Sequence, residues 1–357
     1  MDNLMWLVRE HLGEDAELLA RDSAAVRGLP AAAGMLGGGL HPDEVARAVR
    51  RTGARIVHAH NLHPTYGWRA LAAARAAGAA VVLHLHQYRM VCAIGICFRD
   101  GHECTRCHAR NTLPGVLLNC RGSVGEALAY GTGLAAWQHR LAKQVDVFIT
   151  PSRFAHTRLR ELGAPLGETF VVPHVVRQFA AVPPKRQGGH ALLASRLVPE
   201  KGVAVAVDAC RRAGVPLVIA GDGPERERLR ASADDRAAAM VTVVGRISPT
   251  ELSELRRDAA VALVPSLSAE TFGLAAAEAM AAGVPVAGSD IGALPELVPG
   301  DWLVPPGDAD ALAGAIRRLL ADPGAGGRAL DRARATIAPE VIAPALAAVY
   351  DRADSGR

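Results

Sequence analysis

The stretch from Ala262 to Glu296 limits the possible folds more than any other part of the 357-residue chain. Apolar residues at Ala262–Pro265 predict a buried strand, and Gly273–Ala282 predicts a helix directly behind it. The connecting segment, Ser266–Phe272, must then cross the carboxyl end of the strand, where open α/β sheets bind their ligands. Strand and helix signals alternate along the rest of the chain as well, which predicts an α/β fold.

Two glutamates are placed around the start of this helix. Gly273 lets a ligand approach the first turn, where unpaired N–H groups and the helix dipole attract anions. Glu278 lies one to two turns further on with a side chain that leans back toward the helix start, and Glu270 reaches the same place from the loop. Two carboxylates would repel a bare phosphate, so we expect a phosphate ester that also bears hydroxyl groups, such as a sugar nucleotide.

The segment Glu270-Thr-Phe272-Gly273-Leu274-Ala-Ala-Ala-Glu278 resembles the E-x(7)-E signature of the retaining glycosyltransferases of family 4, which have the GT-B fold. The resemblance implies two Rossmann-like domains that face each other across a cleft. It also implies that Glu270 holds hydroxyls of the transferred sugar, that Glu278 holds the ribose of the nucleotide, and that the residues between them line the donor site. The alternative is an ordinary solvated glutamate in the loop and another on the helix surface.

A second motif predicts cations for the diphosphate of such a donor. After the predicted strand Ala191–Ala194, Arg196 and Lys201 span a strand-to-helix turn and can flank a diphosphate from two sides. The alternative is ordinary surface charge, but lysine occurs only three times among the 40 basic residues, which argues against it. The loop resembles the family's G-R-L-x3-K-G motif, with Ser195 in place of the first glycine.

Glycines follow the next two predicted strands of the same domain. Gly221, in a Gly-Asp-Gly-Pro segment, permits a close backbone approach to a ligand. The resemblance assigns Gly245 and Arg246 to the edge that binds the base. Together these positions predict a nucleoside-diphosphate sugar as donor, bound by cationic side chains without a catalytic metal.

Paired histidines end two neighbouring strands predicted in the first domain. They are His58, His60, His84 and His86. Parallel pairing would bring their imidazoles to one edge of the sheet, where a metal centre, buried core histidines or a catalytic site are all open interpretations. The resemblance favours the last, because His86 matches the family's active-site histidine, which hydrogen-bonds the donor sugar. Gln87 stands where the family often has aspartate, and the resemblance places His60 and Asn61 on the acceptor side.

Five of the six cysteines lie between Cys92 and Cys120. The pair Cys104 and Cys107 has the spacing of a metal-binding knuckle, and Cys92 and Cys120 would complete a tetrahedral structural zinc site, with Cys97 extra. Buried free thiols are the alternative. The stretch also resembles a cysteine-bearing insertion in a subset of the same family. Arginines surround it, but few aromatic residues are available to stack on bases, so we expect no nucleic-acid partner.

Composition agrees with two ordinary α/β cores. Half of the residues are hydrophobic and the net charge is only +4, which does not require a polyanionic partner. Arg9 and Glu10 interrupt the first apolar residues, so we expect no secretory signal, and no run is apolar enough for a membrane span. The expected location is therefore the cytoplasm, with membrane contact that is at most peripheral.

These signals predict an acceptor-side domain at residues 1–180, with the cysteine-rich insertion at 92–120. They predict a nucleotide-sugar domain at 187–335 and a helix at 336–357 that returns to the first domain. The first domain begins with a helix and a Gly/Ala-rich loop over 22–41, so it lacks the strand with which such domains normally open. The predicted function is sugar transfer to an unidentified acceptor hydroxyl. The alternatives are a nucleotide-sugar epimerase of similar shape and an inactive donor-binding subunit.

Overall fold

The structure is a computed structural model that describes residues 2–22, 25–183, 189–231 and 240–356. The chain forms two compact units. The first comprises the described residues up to Arg99, then Glu103–Pro173 and the residues from Ile342 onward, and the second comprises Asp100–His102 and His174–Val341. Residues 184–188, which belong to the predicted linker, lie outside the described residues.

Four parallel strands form the main sheet of the first unit, in the order β1-β2-β5-β6, and β3 and β4 form a separate pair. The strands before Pro173 are β1 (Ile56–His60), β2 (Ala80–His84), β3 (Phe98–Arg99), β4 (His102–Glu103), β5 (Val147–Thr150) and β6 (Thr169–Val171). Within the described part of the chain no strand precedes β1. β1 and β2 pair in register, with His60 opposite His84.

Seven helices precede Pro173 among the described residues. They are α1 (Asp2–His11), α2 (Gly28–Gly37), α3 (Pro42–Thr52), α4 (Gly67–Ala76), α5 (Leu113–Leu117), α6 (Val124–Ala142) and α7 (Arg153–Glu161). The loop predicted over residues 22–41 is wrong, because α2 occupies much of it. Pro30 stands in the first turn, where an N–H is not needed, while Ala31 and Met35 are buried and Gly38 ends the helix in the left-handed conformation.

Six parallel strands form the sheet of the second unit, in the order β12-β11-β10-β7-β8-β9. They are β7 (Ala191–Ala194), β8 (Leu217–Ala220), β9 (Val241–Gly245), β10 (Val261–Val264), β11 (Val286–Ser289) and β12 (Leu303–Val304). β10 and β7 are central and almost fully buried, as expected for strands covered on both faces. All six carboxyl ends lie at one edge, so the loops that follow them share that edge.

The second unit covers its sheet with short helices. They are α8 (Val203–Ala213), α9 (Arg226–Ala231), α10 (Pro249–Asp258), α11 (Leu274–Ala281), α12 (Leu294–Leu297), α13 (Ala309–Ala321) and α14 (Ala325–Ile337). Ser248 and Glu251 form a reciprocal capping box that fixes the start of α10. No helix in the described ranges combines the length and the apolar character that crossing a lipid bilayer requires.

The last helix, α15 (Pro339–Ser355), belongs to the first unit from Ile342 onward. The Tyr350 hydroxyl lies 2.8 Å from Nδ1 of His58 on β1. Near the end of the helix, Arg352 Nε donates to Glu168 Oε1 at 2.7 Å. The final segment is thus tied to the rest of the first unit by a partly buried contact and a solvent-exposed ion pair.

Candidate active site

The loops after β7 and β10 meet at the carboxyl edge of the second sheet. Gly202 follows a short 3-10 turn, Pro199–Lys201, and has a φ of 65°. A Cβ atom at Gly202 would lie 1.9 Å from the carbonyl oxygen of Pro265, so only glycine allows the two loops to come this close. The Leu267 amide also donates to the Glu200 carbonyl at 2.9 Å. These backbone contacts bring the side chains of both loops within reach of one another.

Lys201 and Glu270 form the centre of this edge. Nζ of Lys201 donates to Oε1 of Glu270 at 2.6 Å, and the hydroxyl of Ser266 donates to the same oxygen at 2.6 Å. The Lys201 side chain is 22% exposed and that of Glu270 15%, so their pairing is only partly screened by solvent. The structure therefore joins two residues that the sequence placed in separate motifs. Ser266 belongs to no motif and was not predicted.

The loop after β11 fixes the backbone of Glu270. Gly292 approaches it so closely that a Cβ atom would lie 2.4 Å from the Glu270 amide nitrogen. The Ala293 amide donates to the Glu270 carbonyl at 2.9 Å. Three loops, following β7, β10 and β11, thus position one carboxylate.

The helix start behind this carboxylate is open to a ligand. Gly273, with a φ of 95°, precedes α11, and no side chain caps the first turn. The ring of Phe272 is buried and packs edge-on against His174, with ring centroids 4.9 Å apart. Leu274 is 44% exposed at the first helical position. Of these residues, only His174 was not predicted from the sequence.

Glu278 forms a second acid–base pair. Its carboxylate accepts a hydrogen bond from Arg256, at the end of α10. The side chain of Arg256 is 14% exposed, whereas that of the adjacent Arg257 is 63% exposed. Each of the two predicted carboxylates thus has its own cation, which reduces the repulsion that two acids would exert on a phosphate ester. Arg256 could not have been chosen over Arg257 from the sequence.

Arg196 does not join this arrangement in the described structure. Its side chain is 65% exposed and reaches Glu200 Oε1 at 3.4 Å. The two predicted cations of the loop after β7 therefore differ: Lys201 is held by Glu270, and Arg196 extends into solvent.

Gly221 and Gly223 serve the packing of the loops themselves. A Cβ atom at Gly221 would lie 1.8 Å from the Ser195 carbonyl oxygen, and one at Gly223 would lie 2.4 Å from that of Leu197. Both glycines have positive φ values, 146° and 157°. The loops after β7 and β8 are therefore interlocked through their backbones. This gives a structural reason for Gly221 that differs from the predicted approach of a ligand.

Gly245 ends β9 with a φ of 78°. Its carbonyl oxygen accepts a hydrogen bond at 2.8 Å from the amide of Gly221, in the loop after β8. A Cβ atom at Gly245 would lie 3.0 Å from the guanidinium of Arg226. Arg246 is exposed beside it. The predicted base-binding edge is thus continuous with the interlocked loops, with Arg246 available to solvent.

In the first unit the four predicted histidines cluster at the carboxyl ends of β1 and β2. Nδ1 of His60 lies 2.6 Å from Nε2 of His86, and their rings are stacked with centroids 4.9 Å apart. Asn61 follows directly with a φ of 38°, a left-handed conformation that asparagine tolerates. Burial lowers the pKa of His86 to about 4 and that of His58 to about 3, so both imidazoles are neutral at pH 7.

The metal-centre interpretation of this cluster also has geometric support. His58, His60 and His84 each offer a ring nitrogen within 4.8 Å of those of the other two. The same rings also form a stack, with His84 and His86 centroids 4.2 Å apart. The arrangement therefore fits a stack of mutually contacting imidazoles as well as a ligand set.

The five clustered cysteines surround one small cavity. Its lining includes Cys92, Cys97, Cys104, Cys107 and Cys120, all as free thiols. The Cys97 thiol and nearby backbone amides donate to Cys92 and lower its pKa to about 6, whereas the same contact and burial raise the pKa of Cys97. Among the described residues, the groups with three ligand atoms within 4.8 Å of one another are formed by histidines, so the thiols are gathered more loosely than in a zinc tetrahedron.

Comparison with known families accounts for nearly the whole chain. Residues 6–174 match a profile described as a glycosyl transferase 4-like domain, and residues 178–336 match one described as glycosyl transferases group 1. Among curated proteins, the chain is 35% identical over 234 residues to a glycogen synthase of Mycobacterium tuberculosis strain H37Rv. That alignment covers 60% of this chain and 56% of the relative, so the chain spans just over half the length of this relative.

Solved structures agree on the fold. Sucrose-phosphate synthase from Thermosynechococcus elongatus superposes with a TM-score of 0.65 at 22% identity, over 88% of this chain and 78% of that one. Alr3699/HepE from Anabaena, in complex with UDP and glucose, superposes with a TM-score of 0.62 at 18% identity, over 87% and 80%. At these identities the likeness is one of fold, and it confirms the predicted pair of Rossmann-like domains.

Proposed function

Because the chain belongs to family 4 of the GT-B glycosyltransferases, we propose that it transfers a sugar from a nucleoside diphosphate to an acceptor hydroxyl, with retention of configuration and without a catalytic metal. The contact between Lys201 and Glu270 carries this proposal. It combines a cation, a carboxylate and the Ser266 hydroxyl beside the uncapped start of α11. A sugar diphosphate needs this combination, since its phosphates require cations and its hydroxyls require acceptors.

Lys201 is the principal cation for the diphosphate in this proposal. As the sugar leaves, negative charge grows on the diphosphate, so a fixed cation stabilises the transition state more than the bound donor. Arg196 is exposed and only loosely held by Glu200, so it can turn toward a bound diphosphate at little cost. With cationic side chains placed for this task, the reaction needs no metal to neutralise the leaving group.

Glu270 accepts hydrogen bonds from hydroxyls of the transferred sugar. Its contact with Lys201 neutralises the carboxylate, so an anionic donor is not repelled, and Ser266 holds the carboxylate in place. Glu278 accepts from the ribose hydroxyls, and Arg256 neutralises it in the same way. Phe272, Gly273 and Leu274 line the donor site between the two acids.

The remaining donor contacts come from the interlocked loops. Gly221 and Gly245 lie at the edge of the site for the base, and Arg246 is the exposed side chain available to contact the base. His86 of the first unit supplies a neutral imidazole that hydrogen-bonds the sugar as positive charge develops there. His60, in contact with His86, and Asn61 serve the acceptor.

The cysteines have a structural part in this proposal. Cys92, Cys104, Cys107 and Cys120 would hold a zinc ion that braces the insertion and takes no part in the reaction. Support comes from the gathering of all five thiols around one cavity. Free thiols also fit a reducing cytoplasm, where we place the enzyme, with membrane contact that is at most peripheral.

The test is a screen of nucleoside-diphosphate sugars, beginning with UDP-glucose because the Anabaena neighbour was solved with UDP and glucose. We expect one donor to raise the unfolding temperature and to release its nucleoside diphosphate slowly in water. Glu270→Gln should slow the release about 100-fold, while Glu254→Gln, an exposed acid on α10, should leave it unchanged. Conversion of the donor to an epimer without acceptor, or no binding of any donor, would contradict the proposal.

Two further measurements follow once a donor is found. NMR of the product should show the anomeric configuration of the donor, and an inverted product would refute the retaining mechanism. A chelator should leave the rate of donor turnover unchanged. A rate that falls with chelator and returns with a divalent cation would contradict catalysis without a metal.

A further inference from the structure

A cavity opens at the carboxyl end of the first sheet, between the turn after β2 and helix α6. The polar residues around it include Asn61, His63, Gln87, Arg89 and Gln138. Leu134 and Trp137 of α6 supply an apolar wall on the other side. A mixed lining of this kind is typical of sites for small molecules.

Arg89 brings to this cavity a positive charge that the described residues compensate only in part. Its Nε atom is buried without a hydrogen-bond partner, and no carboxylate in the described parts of the chain forms an ion pair with it. Burial and the neighbouring cation Arg121 lower the pKa of Arg89, while Tyr130 and the Cys92 thiol act in the opposite direction and do not cancel the effect. Arg121 is already occupied, because it donates to Glu126 at 2.9 Å and lies 3.9 Å above the ring of Tyr130.

A partly buried guanidinium without an anion is costly to maintain. Removal of an ion from water costs several kcal/mol unless a counter-charge or a full set of hydrogen bonds replaces the water. Among the described residues no carboxylate pairs with Arg89, and the Cys92 thiol offsets its charge only in part, since the pKa of Arg89 is lowered on balance. An anionic ligand in the cavity would supply the remaining counter-charge.

Three other polar atoms of the cavity lining are buried without hydrogen-bond partners. They are Nδ1 of His63, Oε1 of Gln87 and Oε1 of Gln138. The orientation of Gln138 is fixed, since its amide nitrogen donates to the carbonyl oxygens of Met90 at 2.6 Å and Ala109 at 3.2 Å. Native proteins leave few such atoms unsatisfied unless a ligand or water completes them. Two of the three are acceptors, which suit ligand hydroxyl groups.

We propose that this cavity binds the acceptor substrate and that the acceptor carries an oxyanion, a carboxylate or a phosphate, which Arg89 binds. Gln87 and Gln138 accept hydrogen bonds from its hydroxyl groups, and Trp137 packs against its apolar face. The identification of the ligand as the acceptor substrate rests on the proposed function. The anion site itself can be tested without any transfer reaction.

The direct test is calorimetric titration of the purified chain with inorganic phosphate, glucuronate and glucose at constant ionic strength. We expect at least one of the two anions to bind and glucose to bind at least tenfold more weakly than the better anion. Arg89→Gln should weaken anion binding at least tenfold, whereas Arg160→Gln, an exposed arginine on α7, should not change it. Phosphate binding alone points to a phosphorylated acceptor, and glucuronate binding alone to an acidic sugar.

Stability provides an independent readout. Because no carboxylate in the described parts of the chain pairs with Arg89 and its Nε atom is unsatisfied, Arg89→Met should be at least as stable as the parent chain, so a loss of anion binding cannot be attributed to unfolding. Arg89→Lys keeps the charge without the planar fork and should retain part of the binding. Donor binding should be the same in all three Arg89 variants.

Several results would overturn the inference. They are the absence of anion binding in the parent chain, equal anion binding in Arg89→Gln, and binding of glucose as tight as that of the better anion. A large loss of stability in Arg89→Met would show that an unrecognised partner already satisfies the charge. If anions bind through Arg89 but no nucleotide sugar binds, the anion site stands and the proposed function fails.

Discussion

Nζ of Lys201 lies 2.6 Å from Oε1 of Glu270, so a cation after β7 and an acid after β10 satisfy each other before any ligand arrives. The two residues are 69 positions apart in the sequence. Their contact depends on direct pairing of β7 with β10 in the sheet.

From this contact we predict that Lys201→Gln lowers kcat about 100-fold, since it removes a charge that acts mainly in the transition state. Glu270→Gln should cause a loss of similar size. The double variant should lose less than the product of the two single losses, because the residues act as one unit. Steady-state kinetics with the identified donor will measure this, with Lys143→Gln, an exposed lysine of the first unit, as control. Fully multiplicative losses would show that the two residues act independently.

Arg256→Gln should weaken donor binding about tenfold, because it leaves Glu278 as an uncompensated carboxylate beside an anionic ligand. Arg257→Gln is the matched control, since the adjacent side chain is exposed and lies near Glu254 instead. The dissociation constant of the donor, measured by calorimetry, distinguishes the two variants. Equal effects of Arg256→Gln and Arg257→Gln would remove Arg256 from the donor site.

Gly221→Ala should lower the free energy of unfolding by about 2 kcal/mol or more, because its Cβ atom would collide with the Ser195 carbonyl oxygen. Gly300→Ala is the control, since no atom lies within 4 Å of a Cβ at that position and its φ is not positive. Urea unfolding of both variants measures the difference. A tolerated Gly221→Ala would indicate that the two loops can separate.

Metal analysis of the purified chain should find about one zinc ion per molecule. Replacement of both Cys104 and Cys107 by serine should abolish it and lower the unfolding temperature, since a structural zinc contributes to folding. Cys210→Ser should keep the zinc, because Cys210 is buried in the second unit, away from the cluster. A zinc-free parent chain would favour the alternative of buried free thiols.

The chain should lose stability in mild acid through its buried histidines. Burial and the nearby Arg89 lower the pKa of His63 to about 4, so between pH 6.5 and about 4 the unfolded chain binds a proton that the folded chain does not. The stabilisation is complete above pH 6.5 and is lost as the pH falls, by at most about 1.4 kcal/mol per pH unit for this group. His63→Gln should reduce the slope of unfolding free energy against pH in that range. An unchanged slope would show that His63 titrates normally in the folded state.

The sequence was most informative where a motif coincided with a strand end. Lys201 and Glu270 could be assigned to one function because each follows a buried strand, and carboxyl ends of parallel strands share an edge. The order of strands is not local information, so their direct contact, and the part of Ser266, emerged only from the fold. Glu278 was placed correctly on its helix, but its partner Arg256 depends on how α10 packs beside α11.

Other features were beyond sequence reasoning for a different physical reason. A glycine allows the backbone to approach either a ligand or another segment of the chain. The sequence alone therefore could not show that Gly221 packs against the Ser195 carbonyl. The helix α2 contains three glycines and a proline, which have low helix propensity. The burial of Ala31 and Met35 overcomes this low propensity. Arg89 belonged to no predicted site, since only the fold shows that, among the described residues, no carboxylate pairs with its charge.

Apart from Asp100–His102, the second unit is one continuous segment, His174–Val341, that joins the first unit through a covalent junction at each end. Exchange of residues 174–341 for the corresponding segment of another family member would therefore replace the proposed donor-binding loops as one block. The first unit would keep the histidine cluster, the cysteine cavity and Arg89. Hybrid enzymes made at these junctions could thus combine the sugar preference of one parent with the acceptor preference of the other.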